Sequence, residues 1–332
     1  MDIRFYNFNF NLLHIETDII SSNWTVLNNG VGSFEIHLPL KNPVVSLLDS
    51  ESDIENEKML VVVQGNLQGI VTSFLLGDDC AIFGKTCNWL LEKRVVSPFK
   101  STDISADELS GAEIAVTCAE KAFSDVPEFT VVSNSDFENI YTATKMFWRN
   151  VCHTLESVVS EIMEECGGGH FLHFDTSAKK WVLYFTKNQS KNLIVSMCLG
   201  NTVSQEYCRS ADSYATDGWY EEEVFNDDGL LVGFKWKQIS RETKTGIYRF
   251  ETILDSTTQP EAESMLEKKK QKNDVYVEVF GLDFEKDFFL GDIVCVQYEF
   301  GNLKNNFKRK INGVTLCFED GKKTTHIDFK EV

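Results

Sequence analysis

The stretch from Gly69 to Arg94, GIVTSFLLGDDCAIFGKTCNWLLEKR, puts an apolar, β-branched run on each side of Gly77-Asp78-Asp79 and closes on an aromatic, leucine-rich segment. Gly and Asp tolerate positive φ, and Val, Ile and Phe fill a pleated face, so the local chemistry is that of a hairpin. The pattern returns near the other end of the chain. Phe288 to Val296 reads FFLGDIVCV and Phe307 to Phe329 reads FKRKINGVTLCFEDGKKTTHIDF, again with apolar runs about Gly/Asp turns. Two antiparallel β modules are expected in one chain, and any fold must accommodate both.

Residues 1 to 98 are expected to form the first module. Ile3 to Phe10, Trp24 to Leu27 and Ser33 to Leu40 alternate with period two, and Met59 to Val63 is a continuous β-branched run. Asn28-Asn29-Gly30 and Asn42-Pro43 supply turns, and the acidic stretch Asp49 to Lys58 reads as a solvated loop. From 99 to 194 the period changes to an α+β unit. Ser105-Ala106-Asp107-Glu108 is a capping box before the stripe Leu109, Ala112, Val116, Ala119 and Phe123, which predicts a helix over about 106–124. Leu155, Val158, Val159, Ile162, Met163 and Cys166 predict a second helix, stopped by Gly167-Gly168-Gly169. His170 to Asp175 and Trp181 to Thr186 then read as strands.

From 195 to 332 the chain reads as a second β module. Val224 to Asn226 and Leu230 to Trp236 flank Asp227-Asp228-Gly229, and Tyr248 to Leu254 is a further strand. A helix at about 259–272 interrupts it: Pro260 suits a first helical position, Glu261 and Glu263 the positive end of the dipole, and Lys268, Lys269 and Lys270 the negative end. The last strands are Val275 to Val279, Ile293 to Tyr298, Arg309 to Leu316 and His326 to Phe329. The fold class is mainly β with an α+β insertion: two antiparallel β-barrel modules and a smaller α+β domain.

Charge limits the partners. With 51 Asp and Glu against 32 Lys and Arg, the formal net charge is −19, which disfavours general binding to nucleic-acid phosphates. The nine cysteines sit mostly singly in apolar runs, as Cys80, Cys87, Cys118, Cys198, Cys295 and Cys317 do, and point to a reducing compartment rather than a disulfide framework. The N-terminus lacks a signal-peptide pattern, and no stretch reaches the roughly 18 apolar residues of a membrane span.

Several residue groups have the types that chemistry uses. Cys166, His170 and His173 have a spacing that zinc could use, but two histidines three apart on a strand point to opposite faces, and Cys166 ends a helical stripe. The triple glycine follows a helix and precedes a strand, the reverse of a phosphate-binding loop. Asp78/Asp79, Glu221/Glu222/Glu223 and Asp227/Asp228 could serve a glycosidase or a calcium site, yet strand neighbours face apart and carboxylates in Gly turns shape the turn. No nucleophile elbow or zinc-protease motif is present. No catalytic, cofactor-binding or metal-binding residue is nominated, and no cofactor is expected. Trp24, Trp89, Trp148, Trp181, Trp219 and Trp236 could supply sugar-stacking platforms, so a receptor- or carbohydrate-binding role is the alternative, with a cell-wall hydrolase behind it.

The order of the blocks resembles that of the hub, or tail-tip, proteins of long-tailed bacteriophages and related phage-derived contractile particles. GVGSFEIHLPL at Gly30 to Leu40 is similar to that family's opening block, and Gly69 to Arg94 to the next, with its G-I-V strand and G-K-x-x-x-x-L-L-E-K-R close. Gly246 to Asp255, the helix Glu261 to Lys272, Phe289 to Val294 and Arg309 to Val314 resemble the closing blocks in order. The resemblance implies a structural, non-enzymatic baseplate hub: a homotrimer whose two barrels per subunit make a pseudo-hexameric ring between tail tube and spike or tip, with a central channel that DNA could cross. It implies the tube protein, the spike or tip protein and other baseplate proteins as partners, no specific nucleic-acid binding and no membrane insertion. It further implies assembly in the host cytoplasm and residence in a virion or tail-like particle. The chain stops soon after the last block, which is read as the lack of a hydrolase extension.

Overall fold

The computed structural model describes residues 2–96, 111–132, 153–226 and 230–332. It is mainly β and divides into two compact units, Met1–Gln205 with Tyr276–Val332, and Glu206–Val275.

The larger unit opens with β1 (Ile3–Asn7), β2 (Leu12–Glu16), β3 (Ser21–Leu27), β4 (Ser33–Leu38), helix α1 (Val44–Glu51), β5 (Leu60–Gln64), β6 (Leu67–Leu76) and β7 (Cys80–Thr86). Period-two burial fixes their faces: Phe34, Ile36 and Leu38 of β4 all point into the core. Phe34 stacks on Trp24 with ring centroids 4.5 Å apart. Gly84 on β7 is the residue that admits it, because a Cβ there would come within 2.2 Å of the Phe34 ring. The Asn42-Pro43 turn leads into a helix, which corrects part of the expected loop at Asp49 to Lys58. Asn42 Oδ1 accepts from Val44 N at 2.9 Å, and Val44 and Leu48 bury one turn apart.

The chain continues through α2 (Trp89–Glu92), β8 (Val95–Val96), α3 (Gly111–Ala122), β9 (Phe129–Val132), β10 (His153–Thr154), α4 (Leu155–Glu165), β11 (Gly168–Asp175) and β12 (Lys180–Lys187). The capping box at Ser105 to Glu108 lies outside the described residues. In α4 the anticipated stripe Leu155, Val158, Val159, Ile162 and Met163 is buried, and Thr154 caps the helix by accepting from Ser157 N. Gly167, at φ 69°, ends it; Gly168 and Gly169 belong to β11. The helices pack on the three-stranded sheet β11-β12-β9 and share one core with Tyr6, Val61 and Ile70 of the first module. Phe10 stacks on Phe174 at 4.5 Å within it.

The final strands of this unit are β13 (Ser190–Ser196), β14 (Thr202–Ser210), β18 (Lys272–Val279), β19 (Ile293–Phe300), β20 (Leu303–Glu319) and β21 (Lys322–Glu331), of which β14 and β18 run on into the smaller unit. Between them in sequence come β15 (Asp217–Phe225), β16 (Leu231–Ser240), β17 (Glu251–Ile253) and α5 (Gln259–Glu267).

The two modules repeat one strand order. In the first it is β1-β5-β6-β7-β4-β3, and in the second β13-β19-β20-β21-β18-β14; each strand of one corresponds to a strand of the other in chain order. Both central strands, β6 and β20, shift register against the strand that follows them. Three differences mark the copies: β2, paired with β1, has no counterpart in the second module; β1 lies antiparallel to β5 whereas β13 lies parallel to β19; and the short β3–β4 connection is replaced by residues 211–271 between β14 and β18. The seventeen-residue β20 joins the copies. One of its edges pairs first with β19 and, after the register shift at Asn312, with β3. Among the described residues, neither module closes on itself as a barrel.

Three expected elements need correction. Gly291-Asp292 is not a hairpin turn: Asp292 Oδ2 accepts from Phe289 N at 2.9 Å and the turn feeds β19. The hairpin of the C-terminal block is instead β20–β21, turning at Asp320-Gly321. The strand expected over Tyr248 to Leu254 shortens to Glu251–Ile253, because Gly246 takes a positive φ and starts a 3-10 turn through Tyr248. The helix expected to reach 272 ends at Glu267, since Ala262 and Leu266 are its buried residues and nothing apolar beyond Leu266 would hold another turn.

The smaller unit is built on the β15–β16 hairpin, with β17 parallel to β15 and α5 covering one face through Tyr220, Leu254, Ala262 and Leu266. Asp217, buried at its base, accepts from Thr216 Oγ1 at 2.6 Å, Ser240 Oγ at 2.6 Å and Gln238 Nε2 at 3.0 Å. Asp227-Asp228-Gly229 lies outside the described residues.

Candidate functional site: amides along the edge of β11

β11 is an edge strand, so every second residue turns its N–H and C=O away from the sheet. Side-chain amides from the first module meet those groups. Asn29 Nδ2 donates to Gly168 O at 2.9 Å, Leu172 N donates to Asn88 Oδ1 at 2.7 Å, and Phe174 N donates to Gln68 Oε1 at 2.8 Å while Gln68 Nε2 returns a bond to Phe174 O at 3.1 Å. A carboxamide carries one acceptor and two donors in the plane of a peptide group, which lets it stand in for a missing strand. Asn88 also donates to Gly30 O at 2.9 Å, tying the β3–β4 turn to the same edge. Gly169 is required here: a Cβ would come within 2.4 Å of Asn28 Oδ1.

Beside this seam lies a cavity of about 370 Å³ lined by Leu27, Asn28, His170, His173, Phe284 and Phe289 among others. His170 is fully buried, and burial pushes its pKa down to about 4. Its Nδ1 lies 3.3 Å from Asn29 Oδ1, which can only accept, so Nδ1 carries the proton. Nε2 has no hydrogen-bond partner among the described residues and sits 3.8 Å from Glu156 Oε1. Burial raises the Glu156 pKa, against the bond it accepts from Ser160 Oγ at 2.6 Å. Cys87 also lines the cavity, with its thiol pushed up to about 12 by burial, far from the thiolate that nucleophilic chemistry needs. The set is neutral amide, neutral imidazole and inert thiol. The amides are the members of this set that hold main-chain groups.

The residues weighed from sequence fall elsewhere or apart. Cys166 caps α4. His170 is buried whereas His173, on the other face of β11, is partly exposed, and among the described residues no three His, Cys, Asp or Glu side chains gather as a metal-ligand set. Asp79 Oδ2 lies 2.7 Å from His37 Nδ1 and Glu35 Oε1 2.8 Å from Nε2. Burial alone would lower the His37 pKa, but these two carboxylates override it and hold it above the usual imidazole value. On β15, Glu222 pairs with Lys237 at 3.2 Å. Trp24 and Trp181 are core residues, Trp89 and Trp219 are half-buried, Trp236 is exposed and Trp148 lies outside the described residues. In the sequence the seam residues Gln68 and Asn88 belong to no motif and Asn29 reads only as a turn; the one signal is an amide side chain recurring beside apolar strand positions.

No family model matches the chain, and no curated protein matches its sequence. Solved structures do. The chain is similar to the 43 kDa tail protein of prophage MuSo2 from Shewanella oneidensis, with TM-score 0.58 and 12% identity over 100% of this chain and 98% of that one. It is similar to a tail protein from Neisseria meningitidis MC58, with TM-score 0.58 and 12% identity over 100% and 97%. It is similar also to prophage tail protein gp18 from Listeria monocytogenes EGD-e, with TM-score 0.54 and 13% identity over 99% and 94%. The likeness runs over nearly the whole length of each chain: this chain has the fold of phage tail proteins.

Proposed function

We propose that this protein is a structural, non-enzymatic subunit of the tail hub of a long-tailed phage or a phage-derived tail-like particle. The observation that carries the reading is the repeated strand order of the two β modules in one chain. A subunit with two like modules presents two quasi-equivalent surfaces, so a homotrimer offers six positions to a sixfold tube and three to a threefold spike or tip. Residues 1–98 and 195–332 supply the two β modules of the ring, and 99–194 supplies the α+β layer. The partners are other copies of this chain, the tube protein, the spike or tip protein and further baseplate proteins. Assembly takes place in the host cytoplasm, before incorporation in a virion or tail-like particle. An excess of carboxylates suits a channel wall that DNA passes without adhering.

The neutral seam at β11 supports the same reading, since it holds modules together without offering a nucleophile beside a base. Co-expression with the tube and spike proteins from the same particle tests it by sedimentation and electron microscopy. A threefold ring with one trimer between tube and spike is the expected result. A chain that stays monomeric with both partners present overturns it.

A further inference from the structure

Among the described residues, nothing covers either face of the outer half of the β15–β16 hairpin. At its base α5 packs on Tyr220 and Ile239. Beyond them the same face carries Lys235 and Lys237, with Glu222 paired to Lys237. The opposite face carries Glu221 and Glu223 directly across from Trp236 and Phe234, and neither glutamate has an ion-pair partner among the described residues. Trp236 is 49% exposed, Phe234 57%, and Ile253, next to Trp219 on that face, 75%.

A lone hairpin with both faces bare gains nothing from aromatic residues in water. Leu230, Leu231 and Val232 at its tip are 64%, 49% and 60% exposed, so this one hairpin concentrates apolar exposure that a typical monomer scatters singly over its surface. The two faces are also opposite in kind, one acidic and aromatic, the other lysine-bearing. Complementary faces on one element match a second copy of the same chain, set head to tail rather than face to same face.

We propose that this hairpin is the contact between copies of the chain: the Glu221, Glu223, Phe234 and Trp236 face of one copy packs against the Lys235 and Lys237 face of the next. Every copy uses both faces, and three copies close a ring. The proposal rests on the trimeric reading above and adds the surface that makes the trimer.

Sedimentation velocity on the full chain tests it, with circular dichroism to verify that each variant is folded. Wild type is expected as a trimer. Phe234→Asp with Trp236→Asp, and separately Glu221→Lys with Glu223→Lys, is expected to weaken assembly at least tenfold. Adding Lys235→Glu to the Glu221→Lys, Glu223→Lys chain makes the faces complementary again and is expected to restore the trimer. A folded Phe234→Asp, Trp236→Asp chain that assembles as wild type does would overturn the contact while leaving the trimer standing. A wild-type chain monomeric on its own at every concentration would overturn it as well. A trimer built on this hairpin that joins neither tube nor spike would keep the contact and remove the hub reading instead.

Discussion

Gln68 treats Phe174 as a neighbouring strand would: its amide accepts from Phe174 N at 2.8 Å and donates to Phe174 O at 3.1 Å. Replacing it removes two bonds and leaves a backbone N–H and C=O next to an apolar core. Gln68→Leu is expected to destabilise the chain by about 2–4 kcal/mol, taking about 1–3 for each unmet group with partial relief from water. Chemical denaturation measures the loss, and faster amide exchange at Leu172 and Phe174 locates it. An unchanged midpoint would mean that β11 is held by packing alone.

His170 sets how the fold responds to acid. Its folded pKa of about 4 lies below the ordinary unfolded value of about 6.5, so between those values the unfolded chain binds a proton that the folded chain refuses. Stability therefore falls as pH drops through that window, by about 3 kcal/mol when complete. Glu156, with its pKa raised, works in the opposite direction near the acidic end. His170→Gln is expected to flatten the decline in the melting temperature between pH 6.5 and 4, and an equally steep decline in that variant would assign it to other groups.

His37 acts in the opposite sense. Held between Glu35 and Asp79, its pKa is raised, so it stabilises the fold below its unfolded value and that contribution is lost as pH rises through the folded one. Asp79→Asn is expected to lower the His37 pKa, read from the imidazole proton shifts by NMR, with a stability change under about 1 kcal/mol because the cluster is partly exposed.

Gly84 holds no unusual φ, so its requirement is steric. Gly84→Ala places a methyl within 2.2 Å of Phe34 Cζ and 2.3 Å of Ile70 O, where backbone and a stacked ring both resist movement. A loss of about 1–3 kcal/mol is expected from overpacking, and Phe34→Leu in the same chain should recover part of it. A Gly84→Ala chain as stable as wild type would show that the Trp24–Phe34 stack can shift freely.

Asp217 concentrates the polar bonds of the smaller unit. Asp217→Ala leaves Thr216, Ser240 and Gln238 without their shared acceptor and is expected to cost about 2–4 kcal/mol. Limited proteolysis should cut first within Glu206–Val275 while the larger unit persists.

The strands of both β modules were legible because their faces alternate: Phe34, Ile36 and Leu38 on β4, and Thr325, Ile327 and Phe329 on β21, declare a half-buried sheet residue by residue. The stripe of α4 was legible for the same reason at a different period. What did not show was pairing at a distance. Nothing local in NGVTLCF tells that Gly313 to Glu319 pairs with Ser21 to Leu27 across almost the whole chain, because register between distant strands is chosen by the assembled core. The seam at β11 was hidden too: Gln68, Asn88 and Asn29 act through backbone groups, and backbone groups leave no mark in the alphabet.

The shared strand β20 has a consequence for how the molecule comes to exist. β3 leaves the ribosome among the first elements and waits with one edge bare until nearly the last strand has been made. Closing that pair spans most of the chain, the kind of contact that forms late and slowly. Once formed, it welds the first module to the second, so the larger unit is expected to melt as one cooperative block. Until then β3 is the edge by which an unfinished chain could join the wrong neighbour, and a truncation before β20 should aggregate during synthesis instead of yielding a soluble first module.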